Sequence, residues 1–595
     1  MAGPTMFKLQ RYGALLGTLF IAAGAYAADA AWVARSDENT RLLLDLDARY
    51  DPETASQQGE EAYDAAILDL SRDRFAQKQA ELRALIQRFQ QRLARERNLQ
   101  VQQDLHILLH SAQQELRTDA LDRKYFLPFT DVAELIYNSA QNALDPRLSA
   151  ARQRQFLVRL QEYAGISKGY RPISELARER TLERLKSDPD HKLQGPFRGR
   201  IEQSIENTPT FIAGIRELLE HSALSGWEPA YTALERQLRE YRQWLQSDLL
   251  KEARADARLP PEVYANKLKV NGVDLTPEEL MSRALTAFAE IRNQMQIAAT
   301  LVAQERHLPD ADYHAVIHAL KAEQIPADQV LPLYEQRLAQ IEDLIRANHI
   351  ITLPERKASI RLASAAENAA TPAPHMDPPQ LIGNTGQYGE FVIATGLPPD
   401  ASGNQAAFDD FTHQAITWAL TAHEARPGHE LQYDRMVERG VSEARAIYAD
   451  NNANVEGWAL YCEAEMQPFE PPDGQLFTLQ MRAHRAARAF LDPMLNLGMI
   501  SADQVKRFLV DEVGDSEAFA TSEVQRYQFR DPGQATSYFY GYQQLMAIRQ
   551  AAQLALGEKF DRQKFNDFVV DQGFLSPSLM RTAVMDEFVP SFNGN

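Results

Sequence analysis

The stretch Thr421-Ala-His-Glu-Ala-Arg-Pro-Gly-His-Glu-Leu-Gln432 gathers residue types that suit zinc hydrolysis better than they suit packing. His423 and His429 offer imidazole nitrogens, Glu424 is a carboxylate beside the first, and Pro427-Gly428 interrupts the helix that would otherwise hold the histidines apart. The spacing is H-E-x-x-x-G-H. In a helix of 3.6 residues per turn, positions i and i+4 share a face, whereas i and i+6 point apart. Pro427 removes a backbone donor and Gly428 admits unusual angles, so the pair can let the extra residues bulge out and return His429 to the side of His423. In a chain with 13 His, 28 Gly and a ceiling of 82 acidic residues, such a pattern arises by chance about twice in a thousand chains.

A hydrolytic zinc typically takes three protein ligands and keeps one position open. Glu456, in Asn454-Val-Glu-Gly-Trp-Ala-Leu-Tyr461, follows His429 at a distance that leaves room for a turn and an antiparallel return helix, and Gly457 would let that helix approach closely. Glu463, about two turns on, is either a partner of a ligand or a surface acid. Glu424 is expected to act as base and not as ligand, because its side chain leaves the helix in a different direction from its neighbour His423.

The elements that must position these groups read as helices. Leu82, Leu85, Ile86, Phe89 and Leu93 form one apolar stripe, and Leu105, Leu108, Leu109, Ala112 and Leu116 form another, which predicts a long helical hairpin. Further helices are predicted over Ser149 to Tyr163, Pro209 to Ser222, Pro229 to Leu249 and Pro326 to Asn348, through Glu456, and after the starts Thr276-Pro277-Glu278-Glu279 and Ser501-Ala-Asp-Gln504. Between Ala370 and Asp400 the chain turns rich in Pro and Gly, and Tyr388 to Ile393 is the best strand candidate. A short edge strand there could bind an extended peptide by adding it to a sheet, or it could be a small hairpin covering the core.

The motifs His-Glu-x-x-Pro-Gly-His with Leu431-Gln432, Glu456-Gly-Trp-Ala-Leu-Tyr461, Arg526-Tyr527, Pro532-Gly-Gln-Ala-Thr-Ser-Tyr538 and Gly541 resemble the domain of unknown function 885 family, bacterial proteins grouped with gluzincin-type zinc peptidases. The resemblance covers most of the chain and is sharpest from Tyr388 to Leu579. It implies a mainly α, two-lobed architecture with a deep cleft and a small β element before the zinc helix. It also implies one zinc per chain at His423, His429 and Glu456, with Glu424 as base. The tetrahedral oxyanion of such a reaction needs a donor besides the metal. Tyr538 is the first candidate and Tyr527 the second. Arg526, Gln534 and Tyr388 are the expected substrate contacts, although for Arg526 pairing with a structural acid is favoured over holding a substrate carboxylate. Where the family pattern commonly carries histidines, this chain has Asn496 and Asn566, so no proton-linked role is expected at either.

Residues 1–27 read as an export signal: Lys8 and Arg11, an apolar run from Gly13 to Gly24, and the small-x-small site Ala25-Tyr26-Ala27. No cysteine stands at that site. Its removal would take the formal charge from −19 to −21, because the segment carries two basic residues and no acid. Residues 28–370 form the expected N-terminal helical region and 371–595 the zinc-site region, with an approximate boundary and lobes expected to interleave. With 44% hydrophobic and 24% charged residues the chain is of the soluble globular class. Its acidity disfavours nucleic acid and anionic membrane as partners, and no stable membrane insertion is expected after signal cleavage. The single cysteine, Cys462, excludes an intramolecular disulfide and suits packing as a small hydrophobe. These features predict a periplasmic or secreted zinc peptidase acting on oligopeptides. The alternatives are a peptide-binding protein without turnover and a zinc hydrolase of a non-peptide amide or ester.

Overall fold

The structure is a computed structural model that describes residues 13–384, 386–394, 409–449 and 451–592. The fold is mainly α, with one small sheet. Lys8 and Arg11 lie outside the described residues, and the remainder of the expected signal begins the helix Gly13–Tyr50. No described helix is long and apolar enough to cross a membrane.

The helices form where periodicity and capping direct them. Arg74–Leu93 and Leu99–Tyr125 pair as the hairpin, burying Leu82, Leu85 and Phe89 against Leu105, Leu108 and Ala112. Thr276 and Glu279 complete a reciprocal cap at the start of the helix Pro277–Arg306, and Ser501 and Gln504 do the same for Ala502–Phe508. One boundary differs from the sequence reading. The helix expected from Pro209 begins at Arg198 and runs to His221 with Pro209 inside it. A proline there leaves the carbonyl four residues earlier without a helical donor. That carbonyl, of Ile205, accepts from Arg242 Nε at 2.7 Å instead, so a residue of the following helix makes the interior proline tolerable.

The apolar clusters do not divide at residue 370. One lies within residues 132–369, another joins Tyr264 to Tyr540, and a third combines Ile107 and Ile341 with the C-terminal helices. The helix Pro472–Asn496 runs through the middle, buried along most of its length, and packs on Pro277–Arg306, Ile416–Leu420 and Ser537–Leu556.

The sheet has the order β1-β3-β2, with β1 (Ser359–Leu362) parallel and β2 (His375–Asp377) antiparallel to β3 (Glu390–Ile393). The strand expected as an edge is therefore the central one, and both of its hydrogen-bonding edges are occupied. Phe391, Val392 and Ile393 are all fully buried, as a strand covered on both faces requires. Any peptide added to this sheet would have to pair with β1 or β2.

Candidate metal centre

The helix Ile416–Leu420 widens into a π turn, Thr421–Ala425, that carries His423 and Glu424. The chain leaves the helix at Arg426, passes through a cis Arg426–Pro427 bond, and starts a new helix at His429. Gly428 is required at the crossing, because a Cβ there would lie 1.8 Å from the carbonyl oxygen of His423. The loop is tied to the helix Asn452–Met466, whose Trp458 Nε1 donates to the Pro427 carbonyl at 3.1 Å. Arg426, fully buried, holds the other side through Glu430 and Glu342.

These connections bring His423, His429 and Glu456 together, with one candidate ligand atom from each within 4.8 Å of the others. Glu456 Oε2 lies 3.5 Å from His423 Nε2 and 3.3 Å from His429 Nε2. Tetrahedral coordination with bonds near 2.1 Å sets neighbouring ligands about 3.4 Å apart. Glu456 Oε2 is buried and has no hydrogen-bond partner among the described residues. Two imidazole nitrogens facing one orphaned carboxylate oxygen form a donor set that fits a divalent cation.

Glu463 resolves the choice left open by sequence. It is fully buried, and its Oε1 accepts from His423 Nδ1 at 2.7 Å. That bond holds a proton on Nδ1 and turns Nε2, the atom a cation would take, towards Glu456. Burial alone would lower the His423 pKa, but Glu424, Glu456 and Glu463 outweigh it and lift it to about 9. Burial likewise opposes ionisation of Glu456, yet His423 and His429 hold its carboxyl well below the usual range. The surplus of carboxylates over imidazoles is what a cation would neutralise. Glu424 Oε1 stands 3.9 Å from His423 Nε2, beside the cluster.

Tyr538, at the start of the helix Ser537–Leu556, lays its ring nearly parallel to that of His423, with centroids 6.1 Å apart. Arg526 Nη1 donates to its hydroxyl at 3.5 Å. Burial, reinforced by Glu456, raises its pKa, so it stays a donor. Gln534 Nε2 reaches Glu456 Oε1 at 3.4 Å, and Gln534 Oε1 accepts from Arg526 at 3.4 Å. Tyr538, Gln534 and Arg526 thus border the cluster.

Two expected residues stand elsewhere. Tyr527 is fully buried and its hydroxyl donates to Glu523 Oε2 at 2.9 Å, so it offers nothing to an oxyanion. Tyr388 lies under the guanidinium of Arg356, 3.9 Å from the ring centroid, and its carbonyl accepts from Arg147. It flanks the sheet and does not join the cluster. Gly457 serves a contact other than the one expected: a Cβ on it would lie 2.5 Å from the carbonyl carbon of Gly541, so it admits the helix Ser537–Leu556. Asn496 donates to Asp492 and to the Tyr527 carbonyl, and Asn566 joins Tyr461 to the Ile350 carbonyl, both as buried structural amides.

Sequence reasoning missed the support behind Tyr538. Arg485 and Arg488 place their guanidinium carbons 5.7 and 4.7 Å from the centroid of its ring. Arg488 forms a two-pronged pair with Glu523, at 2.6 and 2.9 Å, and His484 lies between Asp515 and Glu523. The signal was His484-Arg485-Ala-Ala-Arg488 inside an otherwise apolar helix, since buried cations need carboxylate partners.

The profile of the family described as "Bacterial protein of unknown function (DUF885)" matches residues 52–584. No curated protein matches the sequence. Two solved structures share the fold. One is of a Colwellia psychrerythraea protein named as a lipoprotein, with a TM-score of 0.73, 18% identity, and 93% of this chain and 99% of that chain covered. The other is of a Shewanella oneidensis protein named as a lipoprotein of unknown function, with a TM-score of 0.68, 17% identity, and 92% and 98% covered.

Proposed function

The chain belongs to the DUF885 family, and on that premise we propose that it is a zinc-dependent hydrolase that cuts peptide bonds in short peptides. The observation that carries this reading is the convergence of His423 Nε2, His429 Nε2 and the unpartnered Glu456 Oε2, with Glu424 beside them. His423, His429 and Glu456 would hold the zinc, which when bound supplies acidification of water and polarisation of the substrate carbonyl.

The other roles belong to the chain's own groups. Glu424 takes the proton of the attacking water at its carboxylate and passes it to the leaving amine. Glu463 keeps His423 in one tautomer and one orientation. Tyr538 donates its hydroxyl to the oxyanion, and Arg526 and Gln534 orient the substrate beside Glu456. Action in the cell envelope or outside the cell rests on the export features of residues 1–27.

The test measures zinc by mass spectrometry alongside turnover of a mixed peptide library. Zinc near one per chain with cleavage of short peptides supports the reading. Zinc with no peptide cleaved, while amide or ester probes are hydrolysed, moves the reaction to another bond. Peptide binding without any turnover makes the protein a binder.

A further inference from the structure

A cavity of about 1150 Å³ opens between the N-terminal helices and the segment around Phe529. Ten Lys and Arg but only four Asp and Glu line it, in a chain whose net charge is −19. Among the described residues, Arg123, Arg184, Lys186, Arg254 and Lys267 have no carboxylate within ion-pair distance. Burial holds Arg184 and Arg254 below the usual guanidinium value, and Arg123 adds to the effect at Arg184.

One π turn, Arg526–Arg530, reaches both this cavity and the surroundings of the metal centre. Phe529 faces the cavity and stacks on Phe197 at 5.6 Å. On the other side Arg526 reaches Gln534 and Tyr538, and Gln534 reaches Glu456. Among the described residues, Arg530, between them, bonds only to the amide oxygens of Gln203 and Gln525. It is held down to about 10, by burial first and then by Arg526 and Arg200. Arg526 is 3.7 Å from Glu523, the carboxylate that Arg488 already grips at both oxygens. Buried guanidinium groups without counter-charges are costly, and a cleft of one sign concentrates ligands of the other.

We infer that the substrates are anionic peptides, whose carboxylates run along Arg526 and Arg530 from the metal centre into the basic cavity. This rests on the hydrolytic reading and names its substrate class. An extended chain advances about 3.5 Å per residue, and Arg526 is one amide removed from Glu456. The first carboxylate recognised therefore belongs one or two residues from the scissile bond, and it comes from either a C-terminus or an Asp or Glu side chain.

The experiment uses peptides with a common cleaved core and an acidic, neutral or basic flank, each with a free or amidated C-terminus. kcat/KM is measured on the full chain at low and high salt. Binding of a fluorescein-labelled acidic octapeptide to the Glu424→Gln protein is followed in parallel. The expected result is roughly a 10-fold or greater preference for the acidic flank, lost at high salt, as for charge-assisted contacts in a focused field. In Arg254→Gln and Arg530→Gln the ratio of acidic to neutral kcat/KM should fall towards one, with melting temperatures equal to or above the parent's. Loss of the preference on amidation assigns the first carboxylate to the C-terminus, and its retention assigns it to side chains. Equal cleavage of acidic and neutral peptides overturns the inference and leaves the hydrolase standing. Tight, salt-sensitive binding of the acidic peptide with no cleavage of any peptide by the parent does the reverse. The salt dependence of the parent decides the matter even where a variant does not fold.

Discussion

Glu424, Glu456 and Glu463 carry the same functional group within one site, and their neighbours separate what each can do. Glu456 presents an orphaned oxygen to two imidazole nitrogens, Glu463 accepts a hydrogen bond from the far side of one imidazole, and Glu424 stands beside the cluster. Changing Glu424 to Gln is expected to leave zinc content and melting temperature near the parent's while turnover falls by roughly 10²–10⁴, the usual worth of a positioned acid-base group. Changing Glu456 to Gln should instead lower zinc retention, because a neutral amide replaces an anionic oxygen at the cation. Glu463→Gln should retain the fold and lose about 10- to 100-fold in zinc affinity, as expected for a partner that orients a ligand. Competition with a chelator reads the last two, and full activity of Glu424→Gln would sink the assigned base. Tyr538→Phe should keep zinc and lose roughly 10²–10³ in turnover. A parental rate in that variant would remove Tyr538 from the reaction.

At the scale of elements, the site depends on two places where backbone meets backbone. Gly428 lets the chain cross beneath His423, and Gly457 lets the Glu456 helix meet the Tyr538 helix at Gly541. Gly541 is equally constrained, since a Cβ on it would lie 1.8 Å from the Ala453 carbonyl oxygen. A methyl group at Gly457 cannot be relieved by rotating a side chain, because the atoms it meets are main chain. Gly457→Ala is therefore expected to destabilise by about 1–3 kcal/mol or more, the range for forced overpacking. It should also weaken zinc binding, because the helix that must shift carries Glu456. A denaturant midpoint unchanged from the parent would show that the two helices have slack.

At the scale of the molecule, several carboxyl groups are buried without enough compensation. Burial pushes Glu470 up to about 8 against its bond from Thr478, and pushes Asp492 up to about 7 against bonds from Gly533, Tyr264 and Asn496. In the unfolded chain both groups lose their protons near pH 4. Between that pH and their folded values the folded state binds more protons than the unfolded one. Their contribution is thus complete below about pH 4 and is lost as pH rises through 7 to 8. The metal-free protein should accordingly show a higher urea midpoint at pH 5.5 than at pH 8.5, and Asp492→Asn should flatten part of that slope. A midpoint that rises with pH would contradict the burial of these groups as acids.

The sequence by itself determined the elements and the identity of the cluster. A 3.6-residue apolar period, proline and hydroxyl caps, and H-E-x-x-x-G-H followed by a helical glutamate are local signals, because each reflects the backbone or side-chain chemistry of neighbouring residues. Tertiary structure decided what depends on partners far along the chain. Arg242 makes Pro209 an interior residue by supplying the donor that the proline lacks. β1 and β2 turn an apparent edge strand into a central one, although its unbroken apolar run already hinted at burial on both faces. Tyr538 and Tyr527 are both near Arg526 in sequence, yet one borders the metal cluster and the other gives its hydroxyl to Glu523. Type and spacing cannot separate two tyrosines whose roles are set by which carboxylate or ring another helix brings against them.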